Sequence, residues 1–481
     1  MESGTHLDPK GRSSPRPFNT LRAPTSQMDA SDERLPIYLG RLFLLPWWER
    51  VWTVQEFVLG TQVIFHCGRH AVEAGLIQRG VHQLRKHLHA PCCIKCHSFR
   101  QPLQLIDGSP VQPSLNQVWD RIRVLTESVR ELESSSTTLD FDITLATYRL
   151  RHATDRRDKI FGLLGLSDGL SDVITVNYAA TVEEVYEDFT LRYIKHTRNL
   201  RLLSAVGGRS LHLNLPSYVP DWSVSTYQDS EPEGWTAMIR TRMKTVRDMY
   251  RTAQRPRTIP MWDRVAPGVV RVNGFVFDKV QTVLPTDSAW EVRGFHNLGR
   301  WMKMASELAN SVSNDDLQES FLQALCGDVC YSYWDSTDGY QVQWLDMGKE
   351  GVAGLEAWVK GLISGDDTNW ETVESHRFVS RLFDVSNNRN FIVTERGFVG
   401  WAEKRCTQGD VIAVLGGGDC PFVLSALQVK RNFEGYKEYS RLPQFRMLGD
   451  AYLQGIMRGE AFGLMGKTGT PDEAFDELIL I

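Results

Sequence analysis

Between Leu35 and Gly60 the chain reads LPIYLGRLFLLPWWERVWTVQEFVLG, its densest run of aromatic and aliphatic side chains. So much apolar surface has to be buried, and Pro46 cannot sit inside a helix because it lacks an N–H and clashes with the preceding turn. The segment therefore predicts a short helix, a break at Pro46, and a second buried helix or helix-to-strand passage. With 481 residues, 42% of them apolar and 23% charged, the chain is large enough for two or three domains.

Two further helices are legible. Ser114 with Gln117 forms a candidate capping box, and Leu115, Val118, Ile122, Leu125, Val129 and Leu132 recur at alternating three and four spacing, which predicts the core face of a helix. Thr181 with Glu184 forms a second box, opening a helix that places Val182, Val185, Tyr186, Phe189, Tyr193 and Ile194 on one face. Later segments change period. VVRVNGFVFDKV (269–280) predicts a strand, residues 297–325 and 352–364 predict helices, and NFIVTERGFVGWA and GDVIAVLGGGDCPFVLSAL predict antiparallel strands, the latter as a hairpin about Gly416–Asp419. The fold class expected is α/β or α+β.

The formal net charge of −5, from 54 Lys and Arg against 59 Asp and Glu, gives no general drive toward nucleic acid or membrane, and neither is expected as a partner. No run of about 18 apolar residues occurs, and the amino terminus has no secretory apolar core. Eight cysteines fit reduced thiols better than a disulfide framework. A cytoplasmic protein is expected. Composition divides the chain into a disordered leader (1–28), a first folded region (29–225), a basic linker (226–268), a mixed α/β region (269–465) and a tail (466–481), with Cys67–Gln112 read as an irregular surface excursion.

Three elements then carry a resemblance. PWWERVWTVQEFVLG (46–60), with Arg50, Trp52, Gln55 and Glu56, resembles a late motif of the fungal heterokaryon incompatibility (HET) domain. ATDRRDKIFGLLGLSD (153–168), with Asp155, Arg157, Asp158 and Lys159, resembles an element found downstream of it, and LPSYVPDWS (215–223) resembles another. VNGFVFDKV, the two strand pairs and LGDAYLQGIMRGEAF (448–462) resemble the carboxyl-terminal region that follows this domain. The family's opening Ser-Tyr-x-Trp-Gly and Asp-x-x-Cys-Ile strands do not occur before Pro46, so residues 29–225 are expected to hold a truncated, TIR-like α/β domain with its helical extension.

The resemblance implies a signalling and interaction protein of fungal nonself recognition and programmed cell death, binding other proteins, copies of itself among them. With the front half absent, the chain is expected to be catalytically inactive and without a cofactor. The alternative is a TIR-like NAD glycohydrolase whose amino-terminal half is lost from the gene model, with NAD as substrate. Trp52 and Glu56 share the Trp-x-x-x-Glu spacing of plant-type TIR domains, one helical turn apart. On that reading Glu56 is the catalytic carboxylate: nicotinamide departs as a neutral molecule without a general acid, and a carboxylate stabilises the oxocarbenium character left on the ribose. The favoured structural reading has Arg50 and Glu56 in surface ion pairs and Trp47, Trp48 and Trp52 in the core. For Asp155, Arg157, Asp158 and Lys159 it assigns helix-dipole and loop-tying roles.

His82, His87, His89, Cys92, Cys93, Cys96 and His97 supply zinc-type ligands but only one Cys-x-x-Cys pair, so no metal is expected. Gly416–Gly418 precede no predicted helix and read as a turn rather than a phosphate loop.

Overall fold

The computed structural model describes residues 42, 45–80, 115–134, 139–207, 213–223, 242–253, 260–286, 296–310, 317–336, 339–364, 378, 381–382, 384–386, 388–433, 437–467 and 471–481. The chain forms two compact units, dividing between Ser171 and Asp172 rather than near residue 225. The His/Cys cluster from His82 to His97, the leader (1–28) and Ser114 lie outside the described residues.

In the first unit Pro46–Glu49 is a 3-10 turn with proline at its start, followed by helix α1 (Trp52–Val58). Thr53, Val54, Phe57 and Val58 form its buried face. Part of the expected irregular excursion is an antiparallel hairpin, β1 (Ile64–Cys67) and β2 (His70–Glu73), and Phe65 stacks on Trp48 with ring centroids 5.2 Å apart. Helix α2 (Leu115–Ser134) buries Ile122 and Leu125 on the expected stripe, with Val129 and Leu132 half-buried. Helix α3 (Phe141–Tyr148) is buried on every side, and Ser128 and Tyr148 hydroxyls meet at 2.7 Å. A short helix α4 (Asp158–Phe161) leads into a 3-10 turn at Leu164–Leu166. Among its described residues, the strands of this unit are those of the hairpin.

The second unit begins with helix α5 (Val182–Thr197), opened by the expected reciprocal capping box of Thr181 and Glu184. Its strands are β3 (Trp262–Ala266), β4 (Val269–Leu284), a β5/β6 hairpin (Val329–Ser336 and Gly339–Asp346), β7 (Arg389–Thr394), β8 (Val399–Glu403), β9 (Val411–Leu415), β10 (Phe422–Ala426), β11 (Gln444–Leu453) and β12 (Asp476–Leu480). Helices α6 (His296–Asn310), α7 (Leu317–Cys326) and α8 (Gly348–Ser364) lie between β4 and β7 in sequence. The fold is thus mixed α/β with antiparallel strands toward the carboxyl end, as the sequence predicts.

The pairings close a ring. Strand β4 pairs with β9, β9 with β10, β10 with β11, β11 with β8, β8 with β7, and β7 again with β4, all antiparallel. The sixteen-residue β4 serves both halves because its register shifts at Val276/Asp278 and Val280/Thr282, where its partner changes from β9 to β7. All six strands contribute to one cluster: Phe275, Phe277, Ile392, Ala402, Ile412, Val414, Val423, Ala451 and Leu453. The interior is filled with side chains, as expected of a small barrel. Trp301 and Phe321 cover the other face, packing on Phe391, and Trp301 also stacks on Trp401.

Two boundary expectations need correction. Residues 466–481 are not a tail: β12 wedges between β4, antiparallel, and β11, parallel, with Leu478, Ile479 and Leu480 buried. All five residues of β12 pair with β4, and Ile479 and Leu480 with β11 as well, which two acids and a short apolar run do not advertise in sequence. Nor is 226–268 wholly linker, because 242–249 is helical and β3 pairs with β4. The hairpin between β9 and β10 forms where expected, with Gly417 at φ +77°, a conformation suited to glycine.

Candidate functional site

The first two motif segments dock on each other. Trp52 opens α1, and its Nε1 donates to Asp158 Oδ2 at 3.1 Å. A Cβ at Gly162 would stand 3.3 Å from Val51 Cγ1 and 3.4 Å from Trp52 Cδ2, and one at Gly165 would stand 3.0 Å from Gln55 Oε1. The two glycines are three residues apart, as are Trp52 and Gln55, so one turn of α1 seats on two places where the opposite backbone carries no side chain.

The charged motif residues hold the seam's edges. Lys159 is buried, and its Nζ donates to the carbonyl oxygens of Arg149, at 2.8 Å, and Arg151. Arg151, also buried, donates from Nη1 to Trp48 O and reaches Thr53 Oγ1 at 3.5 Å. Asp155 accepts from Arg157 N and Nε, each at 2.9 Å, and from Nη2 at 2.6 Å. Those side-chain bonds hold its carboxyl below the ordinary aspartate value, against the opposing effect of partial burial. Asp158 lies in the first turn of α4, where a carboxylate complements the helix dipole.

Arg50 and Glu56 are both exposed. Neither forms an ion pair with a described residue, contrary to the expected surface pairs. Arg50 contributes backbone instead, bridging His152. Trp48 is in the core, but Trp52 is 38% exposed, with Gly162 close to its ring and its indole N–H donating to the half-buried Asp158. The structure therefore joins Trp52, Gln55, Asp158 and Lys159 along one seam and leaves Glu56 on its solvent side. Chemically the seam offers an aromatic face with one carboxylate, Asp158, hydrogen-bonded at its edge. Among the described residues no group of His, Cys, Asp or Glu is arranged to hold a metal ion.

Sequence reasoning missed Arg151 and Thr53, whose pattern is ordinary, and it missed the polar core of the second unit. There Glu187, from α5, accepts from Tyr218 Oη at 2.9 Å, Gly268 N at 3.1 Å and Arg264 Nη2 at 3.0 Å. Burial, with the negative charge of Glu187 second, raises the Tyr218 pKa. The Pro-Ser-Tyr-Val-Pro-Asp-Trp-Ser element thus ties α5 to the β3–β4 turn, while Asp221 accepts from Ser223 N and Oγ at 2.9 and 2.6 Å and Trp222 is buried. Asp450 pairs with Arg389 in the interior and lies 3.8 Å from Arg242 Nε. Burial pushes its pKa up, but the charges of the two arginines, with hydrogen bonds from Arg389 and Ser204, outweigh that and leave it lowered. Arg381, fully buried, donates to Cys326 O at 2.8 Å, Thr245 Oγ1 at 3.2 Å and Tyr250 Oη at 3.3 Å.

No helix among the described residues is long and apolar enough to cross a membrane. No family model matches the chain, and no solved structure matches it. A curated relative is Heterokaryon incompatibility protein 6, OR allele, of Neurospora crassa, 23% identical over 473 aligned positions that take in 86% of this chain. The chain spans 64% of that relative's length, and the likeness is a distant one to a protein named for heterokaryon incompatibility.

Proposed function

We propose that this chain acts in heterokaryon incompatibility as a non-catalytic signalling and interaction protein of the HET type, working in the cytoplasm through contacts with other proteins and contributing to cell death on nonself recognition. The observation that carries the reading is the similarity to a protein named for heterokaryon incompatibility along 86% of the chain. Support for the non-catalytic part comes from the seam: Trp52, Gln55, Asp158 and Lys159 are engaged in holding two segments together, while Glu56 stands exposed. A carboxylate stabilising an oxocarbenium-like ribose works in a water-excluded pocket, and an exposed side chain is poorly placed for that.

Inducible expression of the full chain in a filamentous fungus, followed by fusion with strains of matched and unmatched genotype, tests this. The expected result is arrest and death confined to some unmatched fusions, unchanged in Glu56→Gln, with cellular NAD steady until death. Uniform survival would overturn the incompatibility role. NAD loss that precedes death and disappears in Glu56→Gln would replace the non-catalytic reading with the glycohydrolase one.

A further inference from the structure

Four places in the sequence set glycine directly after Asp or Asn: Asp107–Gly108, Asp168–Gly169, Asn273–Gly274 and Asp338–Gly339. Such pairs share one reaction, in which the glycine amide nitrogen attacks the side-chain carbonyl carbon of the residue before it, with no Cβ on the glycine to hinder the approach. Asp107 and Asp338 lie outside the described residues. The other two pairs sit in opposite surroundings.

Asn273–Gly274 is locked in β4. Asn273 Oδ1 accepts from Met261 N at 2.9 Å, its backbone oxygen accepts from Gly416 N at 2.9 Å, and Gly274 pairs with Leu415 of β9 and with Asp476 of β12. A strand points its side chains out of the sheet while its amides lie in the sheet, so the Asn273 side-chain carbon and the Gly274 nitrogen are held apart.

Asp168–Gly169 is the reverse. It lies in a turn, both residues are exposed, and Gly169 has φ +72° with nothing within 4 Å of where a Cβ would stand. Among the described residues, neither the Asp168 carboxylate nor the Gly169 amide takes part in a hydrogen bond. Leu166 and Leu170 are buried on either side, so the turn is an open loop between two fixed points.

We propose that Asp168 is a site of spontaneous isoaspartyl modification, selected by the fold over the chemically more reactive Asn273. Gly169 N attacks Asp168 Cγ, a C–N bond forms, and a carboxyl C–O bond breaks, the oxygen leaving with the amide proton as water. A second water then opens the succinimide ring. Opening at the Asp168 α-carbonyl leaves the chain joined through Cγ, one backbone carbon longer, with a carboxylate on the α-carbon. Only water is lost and regained. By side-chain chemistry alone Asn273 would react first, because a neutral amide is a better electrophile than a carboxyl group ionised at neutral pH. The extra carbon falls between the buried Leu166 and Leu170, just before the sequence passes from the first compact unit to the second at Ser171/Asp172. Conversion therefore loads the Leu170 anchor and accumulates with the age of the chain. This inference stands independently of the incompatibility reading.

Storage of the purified full chain at neutral pH and physiological temperature in heavy-oxygen water, followed by peptide mapping, tests it. Each ring opening fixes one heavy oxygen at the converted residue. The expected label appears on the peptide holding Asp168, rises with time, and is lost in Asp168→Glu, whose longer side chain would have to close a six-membered ring, at an unchanged unfolding temperature. Asn273 stays unlabelled in the folded chain and becomes the faster of the two in urea. No label at Asp168 in the folded chain, label at Asn273 equal to it or greater, or an order that urea leaves unchanged would overturn the proposal.

Discussion

The two units bury charge in different ways. In the first, the buried cations Lys159 and Arg151 donate to backbone carbonyl oxygens, Lys159 to those of Arg149 and Arg151 close in sequence and Arg151 to that of Trp48, 103 residues away. In the second, buried charge meets opposite charge brought from far along the chain: Arg389 with Asp450, and Glu187 with Arg264 and Tyr218. The Lys159 bonds can form as soon as the local chain folds. The second arrangement exists only once the barrel has closed, so it reports closure, and losing one partner leaves a charge inside with no water to receive it.

The sharpest way to break that contrast is Asp450→Asn. It leaves Arg389 buried and unpaired, and denaturant unfolding should show a loss of about 3–5 kcal/mol. The wild-type chain should show the same bond through pH. Because the folded-state pKa of Asp450 is lowered, its contribution is complete above about pH 4 and drains away as pH falls through the folded value. An acid limb of stability that is unchanged in Asp450→Asn would contradict the assignment.

Thiol chemistry sharpens the comparison further. Cys406 is buried and pushed up to about 12, first by desolvation and then by Asp410 and Glu403. That lowers its thiolate fraction at neutral pH about a thousandfold. Cys420 is buried and raised as well, whereas Cys67 on β1 is exposed. Alkylation followed by peptide mapping should label Cys67 first and Cys406 and Cys420 only as the barrel opens. Equal labelling of all three would mean the second unit is not closed.

On the first unit the effects should be smaller. Lys159→Met strips the donor from two carbonyls, and about 1–3 kcal/mol should be lost. Trp52→Phe keeps the ring on Gly162 but removes the bond to Asp158, costing about 0.5–1.5 kcal/mol, visible as a modest fall in unfolding temperature. A Lys159→Met loss as large as that of Asp450→Asn would erase the distinction between the units.

Local structure was legible in this sequence and closure was not. The capping box at Thr181, the break at Pro46 and the β9–β10 hairpin rest on neighbouring residues, and each is where the residues predict it. The ring depends on β4 changing partners midway through sixteen residues and on β12 entering between two strands, and neither leaves a mark in composition. The site divides the same way. The motif residues could be found by their pattern, but Trp52 looked like core because nothing in sequence reveals that glycines lie beneath it. Glu187 and Asp450 look like ordinary surface acids until their partners arrive from elsewhere in the chain.

Strand β12 also sets a schedule. Arg271 on β4 and its partner Glu477 are 206 residues apart. At ribosomal rates of about 5–20 residues per second, β4 emerges some 10–40 s before the strand that fills its edge. For that interval the ladder of β4 that β12 will cover is open to any other strand in reach, and a ribosome stalled before residue 476 would hold a chain with an unsealed edge.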